Sequence, residues 1–351
     1  MDEDQELQLS LEDLMEESVA HLTEEFYKKD FNFSYSSLSK LMWNPAIFHA
    51  MYILGIKEER QESHLVQGSL IHCLLLEPEM FPQKFIVSPD NLPTGNPRIV
   101  VDRVFKHHQE LYKNGDHREN LEEFDGAILD VMKDMNYYQN LKTDQQRLDK
   151  IITDETKNYW KFLHLKKDKI IIDQESHTFC INAVELVKRN EKVCNLIGCG
   201  VTDFDQKDVY NELPIDCKII DKPFGLKGIV DNLVIDHAAK VIRINDIKTT
   251  AKELKDFPET VEFYNYWLQA IIYNILVANQ FKEQIELNNY KLEFHFIVID
   301  KNFQVYPFLV SDATLTLWLA RFFKLIDEAH WHYVNKSYEL PYKFATGSVT
   351  L

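Results

Sequence analysis

The chain has 351 residues, of which 45% are hydrophobic and 27% charged, and these proportions are ordinary for a globular protein that buries the core of one large domain or two. The formal net charge of −17 argues mildly against a broadly basic surface that would bind a polyanion, although it leaves room for a local basic channel. No run approaches the roughly eighteen apolar residues of a transmembrane helix, and the acidic start argues against a signal peptide.

The first 30 residues are predicted to form an acidic tail. Residues 1–25 contain ten of the 56 acids and neither Lys nor Arg, so 46 acids and 39 bases remain for the rest of the chain. Such a charge run is most simply a solvated or partly helical segment, and docking of a partner is a second interpretation. We assign 1–30 to this tail and 31–351 to a single domain with a helical elaboration at about 99–200.

The N-terminal half of that domain is predicted to be largely helical. Serines between 34 and 39 precede an apolar periodic run and are typical of a helix N-cap. The helix at about 36–54 is expected to break at Asn44–Pro45, and a short buried helix from 67 is expected to end at Pro78. A loop is predicted at 88–98, followed by mostly helical sequence at 99–200 that includes an apolar run at 170–172 and a helix at about 174–196.

The C-terminal part is predicted to contain a sheet. The β-rich runs lie at 209–210, 217–220, 226–235 and 241–248, and residues 236–240 supply the turn between the last two. A helix at about 258–280, strands at 292–300 and 304–310, and a helix at about 312–335 follow. This order indicates an α/β fold with a mixed central sheet flanked by helices.

Two acids and a lysine on neighbouring β-rich runs are the candidate functional residues. Asp231 ends an apolar run, and Asp246 stands two positions before Lys248, so the latter two side chains face the same side of a strand. Both carboxylates could reach one Mg²⁺, and the ammonium beside them could stabilise the charge that develops when a phosphodiester is hydrolysed. An exposed Asp–Lys pair is usually only a solvated ion pair, but the neighbouring isoleucines predict half-buried strands, where an acid needs a partner.

Four ordered segments between about 34 and 274 carry a family resemblance. They are SYSSLSKLMWNPAIF at 34–48, GSLIHCLLLEPEMF at 68–81, the strand pair GIVDNLVI and INDIKTT within 228–250, and YNYWLQAIIYN at 264–274. Each motif alone is weak, but the ordered set resembles the PD-(D/E)XK nuclease superfamily, and in particular its branch of exonuclease VIII (RecE), phage and RecB-like exonucleases. The resemblance implies a restriction-endonuclease-like core.

The resemblance also implies a metal site. Asp231 and Asp246 would hold the metal, His72 would be a further ligand or would support one, and Ile247 belongs to the same site. His72 could instead be a buried core histidine that bonds to a main-chain carbonyl.

The remaining matched positions imply catalytic roles. Lys248 would be the catalytic lysine, and Gln269 and Tyr273, one helical turn apart, would line the site and contact the DNA backbone. These last two could also be ordinary positions of an amphipathic helix. Whether Glu77 or Glu212 contributes stays open, although Glu77 is rotated away from the helical face of the motif histidine.

The expected cofactor is Mg²⁺, for which Mn²⁺ is expected to substitute. Relatives with an iron–sulfur cluster carry three clustered cysteines near the C-terminus, whereas this chain has no cysteine after Cys217, so no such cluster is expected. The five cysteines form no CxxC pair, which argues against a disulfide framework or zinc site. This cysteine usage indicates a reducing cytoplasm. The resemblance implies that this is the cytoplasm of a bacterium or of a phage-infected host.

The implied function is a Mg²⁺-dependent exonuclease that degrades double-stranded DNA from its ends, 5′ to 3′, in recombination, repair or phage DNA metabolism. A single-strand-annealing protein is an expected partner, and a ring-shaped homo-oligomer, in which only the channel need be basic, is the expected assembly. Two alternatives stay open: a structure-specific or restriction-like endonuclease with the same site, and a non-catalytic protein of this fold that binds DNA or a partner. No membrane association is expected.

Overall fold

The computed structural model describes residues 21–56, 63–112, 118–200 and 206–349. The chain divides into two compact units, a sheet unit (1–61 and 185–351) and a helical unit (62–184). Most of the predicted acidic tail lies outside the described residues, and the assignment of 31–351 to a single domain stays a prediction.

Helices precede and follow the main strands of the chain, and residues 21–28 are also helical. The α-helices are α1 (Tyr35–Trp43), α2 (Pro45–Phe48), α3 (Ser63–Leu76), α4 (Phe81–Lys84), α5 (Gly95–Tyr112), α6 (Asp125–Asp134), α7 (Asp144–Ile151), α8 (Asp154–Lys166), α9 (Gln174–Arg189), α10 (Glu191–Ile197), α11 (Phe257–Phe263), α12 (Tyr266–Gln280), α13 (Lys282–Glu286), α14 (Asp312–Asn335) and α15 (Tyr342–Ala345). The strands are β1 (Asn32–Phe33), β2 (Phe85–Val87), β3 (Ile170–Ile172), β4 (Lys207–Lys218), β5 (Gly225–Asp236), β6 (Val241–Thr250), β7 (Lys291–Asp300) and β8 (Val305–Leu309).

The sheet unit is organised around β5, which pairs with three other strands. β5 is antiparallel to β4 and β6 and parallel to the short β1. β6 runs parallel to β7 because α11 and α12 carry the chain between them, whereas a short turn makes β8 antiparallel to β7. The predicted α/β fold with a mixed sheet flanked by helices is therefore confirmed.

The core of the sheet unit lies between the strands and α12. Leu233, Ile244 and Phe296 of the sheet pack in one buried cluster with Leu268 and Ile272 of α12. These side chains are at most 1% exposed, so burial of this helix face supplies much of the stability of the unit.

The N-terminal helix begins and breaks where its sequence predicts. Ser34 caps α1 by accepting a hydrogen bond from the main-chain N–H of Ser37. Asn44 then ends α1 and caps α2, whose first residue is Pro45. A short π-helix at His49–Ile53 completes the segment.

The prediction of one long helix at about 258–280 was wrong. The chain forms α11 and α12, which are separated at Tyr264 and Asn265. Asn265 takes a left-handed φ of 57°, a conformation that asparagine tolerates better than most residues. A hydrogen bond from the Tyr35 hydroxyl of α1 to the main-chain oxygen of Tyr264 lies at this break.

Two helix boundaries also differ from the prediction. The last part of the predicted loop at 88–98 is already helical, because α5 begins at Gly95 and Pro97 fits within a first helical turn. The predicted helix at about 174–196 is interrupted at Asn190, whose side chain accepts from the main-chain N–H of Val193 and caps α10.

The helical unit has its own buried core. Val100 and Val104 of α5 pack with Ile128 of α6 and Trp160 of α8. β2 and β3 form a separate parallel pair in this unit. Within the described residues, none of the helices combines the length and apolar character needed to span a bilayer.

Candidate active site

Three carboxylates converge on neighbouring strands of the sheet unit. The register of β4 and β5 places Glu212 opposite Asp231, since Asn211 pairs with Asn232 and Leu213 pairs with Val230. A carboxylate oxygen of Glu212 lies within 4.8 Å of one of Asp231.

The third acid, Asp246, lies on β6, which pairs with β5 along the edge opposite to β4. Asn232 pairs with Asn245, so Asp231 and Asp246 follow as the next opposed positions of β5 and β6. The main-chain N–H of Ile247 donates to Oδ2 of Asp231 at 2.8 Å, which orients that carboxylate toward β6. The two acids and Ile247, three of the four predicted metal-site residues, therefore lie together.

Glu212 is a site residue whose role the sequence left open. Its backbone φ is 47°, in the left-handed region that residues other than glycine and asparagine rarely occupy. Such strained positions in strands cluster at functional sites. Nothing in the local sequence of β4 signals this conformation, and only the register with Asp231 reveals the residue.

Lys248 forms a buried ion pair with Asp246. The ammonium Nζ lies 2.6 Å from Oδ2 of Asp246, and the side chains of Lys248 and Asp246 are 13% and 0% exposed. The same ammonium stands 4.9 Å from the centre of the Tyr266 ring. Burial disfavours the charge of Lys248, but the carboxylates of Asp246 and Asp231 outweigh that effect and raise its pKa.

Tyr35 and Tyr266 are neighbours of this ion pair that the sequence did not single out. The hydroxyl of Tyr35 donates to the main-chain oxygen of Tyr264 at 2.6 Å. Burial raises the pKa of Tyr35 to about 12, and the charges of Lys248 and Asp246 also act on its hydroxyl. Burial likewise raises the pKa of Tyr266. Both phenols thus stay protonated at neutral pH beside the charged groups.

Gln269 and Tyr273 extend the site along α12. Nε2 of Gln269 donates to the hydroxyl oxygen of Tyr273 at 3.0 Å, and both side chains are buried. Burial, together with the carboxylates of Asp231 and Asp246, raises the pKa of Tyr273. Its ring lies so close to β5 that a Cβ at Gly228 would stand 2.8 Å from it, which explains the glycine there.

Three asparagines form a hydrogen-bonded ladder that crosses the same strands. Each stands next to a site acid in sequence, so its side chain points to the opposite face of the sheet. Nδ2 of Asn245 donates to Oδ1 of Asn232 at 2.8 Å, and Nδ2 of Asn232 donates to Oδ1 of Asn211 at 2.8 Å. Asn245 also donates to the main-chain oxygen of Leu196 at 2.9 Å, and Asn232 donates to that of Ile197 at 3.0 Å. This asparagine ladder ties the three acid-bearing strands to the end of α10.

The carboxylate cluster suits a divalent cation. Glu212, Asp231 and Asp246 all act on the hydroxyl of Tyr273, so their negative charges share one small region. Like charges that are buried together repel, and a bound cation relieves this repulsion. Their ligand atoms are carboxylate oxygens, which Mg²⁺ and Mn²⁺ prefer over softer metals.

The other two candidate residues belong to the helical unit. His72 lies on α3 and is half-buried. Glu77 follows the end of α3, where its carboxylate pairs with Lys84 at 2.7 Å. Whether His72 is a metal ligand stays a prediction.

Comparison with known proteins decides the family. The model of the PD-(D/E)XK nuclease superfamily matches residues 32–332. The chain belongs to the PD-(D/E)XK nuclease superfamily. Nucleases of this superfamily typically use divalent metal ions, and the oxygen-rich cluster of this nuclease fits that chemistry.

Other comparisons add less to the description of this nuclease. A solved structure of a candidate exonuclease from Eubacterium rectale is 13% identical and has a TM-score of 0.45, over 88% of this chain and 82% of that chain. No curated protein matches the chain. Membership of the exonuclease VIII-like branch therefore stays a prediction.

Proposed function

We propose that this nuclease hydrolyses DNA phosphodiester bonds with Mg²⁺, acting 5′ to 3′ from the ends of double-stranded DNA. The observation that carries the proposal is the meeting of Asp231, Asp246 and Lys248, which combines two acids with a buried ammonium on adjacent strands. This combination provides both a cation site and a fixed positive charge for a phosphodiester in hydrolysis.

Asp231, Asp246 and the main chain of Ile247 would hold the metal, together with His72 as the family resemblance implies. Glu212 is added to this set because of its place opposite Asp231. The N–H of Ile247 points toward β5, and the C=O of the same strand residue points to the same edge. When bound, Mg²⁺ supplies charge neutralisation and an activated water.

The protein side chains position the substrate around this site. Lys248 is held by Asp246 on one side and by the face of the Tyr266 ring on the other, so its ammonium can stabilise negative charge on the reacting phosphate. The hydrogen bond between Gln269 and Tyr273 fixes two polar groups that would contact the DNA backbone.

The biological setting is also a proposal. By the family resemblance, the enzyme would belong to the exonuclease VIII-like branch and feed single strands to an annealing protein in recombination, repair or phage DNA metabolism. Assembly as a ring would accommodate the net charge of −17, since only the channel need be basic to hold phosphates.

Digestion of end-labelled duplex DNA tests the activity. With Mg²⁺ the protein should release a 5′ label before a 3′ label from linear duplex, leave covalently closed circles intact, and be inactive with EDTA. Lys248→Ala should lower the rate at least about 100-fold, because a fixed charge at the reacting group is lost. Lys240→Ala, at an exposed turn lysine, is the matched control and should keep the wild-type rate.

Each opposite result has a definite meaning. Cleavage of closed circles would show that the enzyme is an endonuclease and not an exonuclease. Release of the 3′ label first would reverse the polarity. DNA binding without Mg²⁺-dependent cleavage would identify a non-catalytic protein of this fold.

A further inference from the structure

We propose that Phe263, Tyr264 and Tyr266 form a stacking site for the bases of an unpaired nucleic-acid strand, and that this site leads the strand to Lys248. The inference deepens the proposed function, because it names the form in which a strand would reach the same site. We call these three residues the aromatic ladder.

The aromatic ladder begins on the surface of the sheet unit. Phe263 is 73% exposed and Tyr264 is 51% exposed, which is unusual for large rings that stand next to each other. Their ring centres are 4.9 Å apart and nearly perpendicular. The two residues thus offer solvent-facing aromatic surface at the end of α11.

The same ladder continues inward to the candidate active site. The rings of Tyr264 and Tyr266 stack with centres 5.6 Å apart and an interplanar angle of 24°. The Lys248 ammonium lies 4.9 Å from the centre of the Tyr266 ring and 2.6 Å from Asp246. An unbroken series of aromatic contacts therefore connects solvent to the buried ion pair.

Cations accompany the aromatic ladder at both ends. The exposed Lys252 places its ammonium 5.9 Å from the centre of the Phe263 ring, and Lys248 stands at the inner end. The nearby acid Glu262 already pairs with both its oxygens to the guanidinium of Arg321. A run of aromatic rings with a lysine at each end matches the chemistry of single-strand binding, in which bases stack on rings and phosphates meet cations.

The backbone that carries the aromatic ladder is held in place. The hydroxyl of Tyr35 fixes the main-chain oxygen of Tyr264, and the indole N–H of Trp267 donates to the side chain of Asn265 at 3.1 Å. These contacts maintain the left-handed break between α11 and α12, so the rings stay on a fixed scaffold and do not form part of one continuous helix.

The ligand class follows from these contacts. Every base has a π-face, so stacking binds unpaired nucleotides with little regard to sequence, whereas the bases of an intact duplex are not available to the rings. We therefore expect the aromatic ladder to select a frayed or single-stranded end over the duplex interior.

Binding of a fluorescent oligothymidine, measured by anisotropy in EDTA, tests this site. Phe263→Ala and Tyr264→Ala should each weaken binding about ten-fold or more, as is usual when a stacking ring is removed. Tyr264→Phe keeps a ring and should bind as the wild type does. The control is Phe323→Ala, which removes a 56%-exposed ring from α14 and should leave the affinity unchanged.

The outcomes separate this inference from the proposed function. Binding is measured without metal, so a loss confined to the two ring variants supports the stacking site even if the wild type does not cleave DNA. If both ring variants keep wild-type affinity, or lose no more than Phe323→Ala, the stacking site is refuted even if Mg²⁺-dependent cleavage is found. Equal weakening by Tyr264→Phe and Tyr264→Ala would also refute it, because stacking needs only the ring.

Discussion

Replacing Lys248 by Met tests whether its ion pair with Asp246 is truly desolvated. Met replaces the aliphatic part of the lysine side chain but lacks the ammonium, which lies 2.6 Å from Oδ2 of Asp246. The side chain of Asp246 is 0% exposed. Removing one partner of a buried pair typically costs about 3–5 kcal/mol, since a buried charge loses its compensation. This is a large part of the roughly 5–15 kcal/mol that stabilises a typical protein.

The double variant Asp246→Asn, Lys248→Met removes both charges of the ion pair. With both charges removed, most of the lost stability should return, because replacing a buried pair by uncharged groups of similar size is often close to neutral. Urea unfolding of the full-length protein, followed by circular dichroism, measures the free energy of unfolding of the wild type and of both variants.

An exposed ion pair of similar length supplies the control. Lys222 and Asp327 are 2.7 Å apart, but the side chain of Asp327 is 73% exposed, so Lys222→Met should cost about 1 kcal/mol or less. Mg²⁺ should stabilise Lys248→Met more than the wild type, because a cation can replace the lost ammonium beside the acids. A cost for Lys248→Met no larger than that of Lys222→Met, or a double variant no more stable than Lys248→Met, would show that the pair is not desolvated.

Three other substitutions probe the surroundings of the site. Asn245→Ala removes the donor to Oδ1 of Asn232, which is buried, and to the main-chain oxygen of Leu196, which is partly buried, and should cost roughly 2–4 kcal/mol by urea unfolding. Asn335→Ala, on an exposed helix end, should cost less than about 0.5 kcal/mol, and equal costs would contradict a role for the ladder. Gly228→Ala should displace the Tyr273 ring, destabilise the fold by about 1–3 kcal/mol and therefore lower the melting temperature, and slow DNA cleavage. Wild-type melting and wild-type cleavage would count against this close approach. Burial lowers the pKa of His295 to about 4. As the pH falls below about 6.5, the histidine of the unfolded chain becomes protonated while that of the folded protein stays neutral. The free energy of unfolding should therefore be unchanged above about pH 6.5 and fall by up to about 3 kcal/mol toward pH 4. His295→Asn should reduce this acid sensitivity in urea titrations, and an unchanged pH profile would exclude His295 as its source.

Much of the sheet could be predicted because its signals are local. Runs rich in β-branched and other apolar residues predicted the strands near 226–235 and 241–248, and these lie within β5 and β6. The two-residue spacing of Asp246 and Lys248 predicted a shared face, which their ion pair confirms. The helix at 312–335 has the predicted bounds, since Ser311 caps its start.

The missed features depend on distant partners. The helix expected at 258–280 divides at Tyr264, where the hydroxyl of Tyr35, more than 200 positions earlier, donates to the main-chain oxygen. Glu212 joins the site because the strand register sets it opposite Asp231, with a backbone angle that no local pattern announces.

Local sequence patterns predicted β5 and β6, the placement of Asp231 on the first and of Asp246 with Lys248 on the second, and they carried the resemblance that indicated a nuclease. The strands and the shared face follow from residue composition and spacing over a few positions, whereas the resemblance comes from the order of the matched motifs. The meeting of distant polar groups is visible only in the fold: Glu212 lies beside Asp231, the asparagine ladder lies behind the acids, and Tyr266 lies against Lys248. Such contacts depend on strand register and helix packing, and these are set by burial of the whole core, which no short segment of sequence contains.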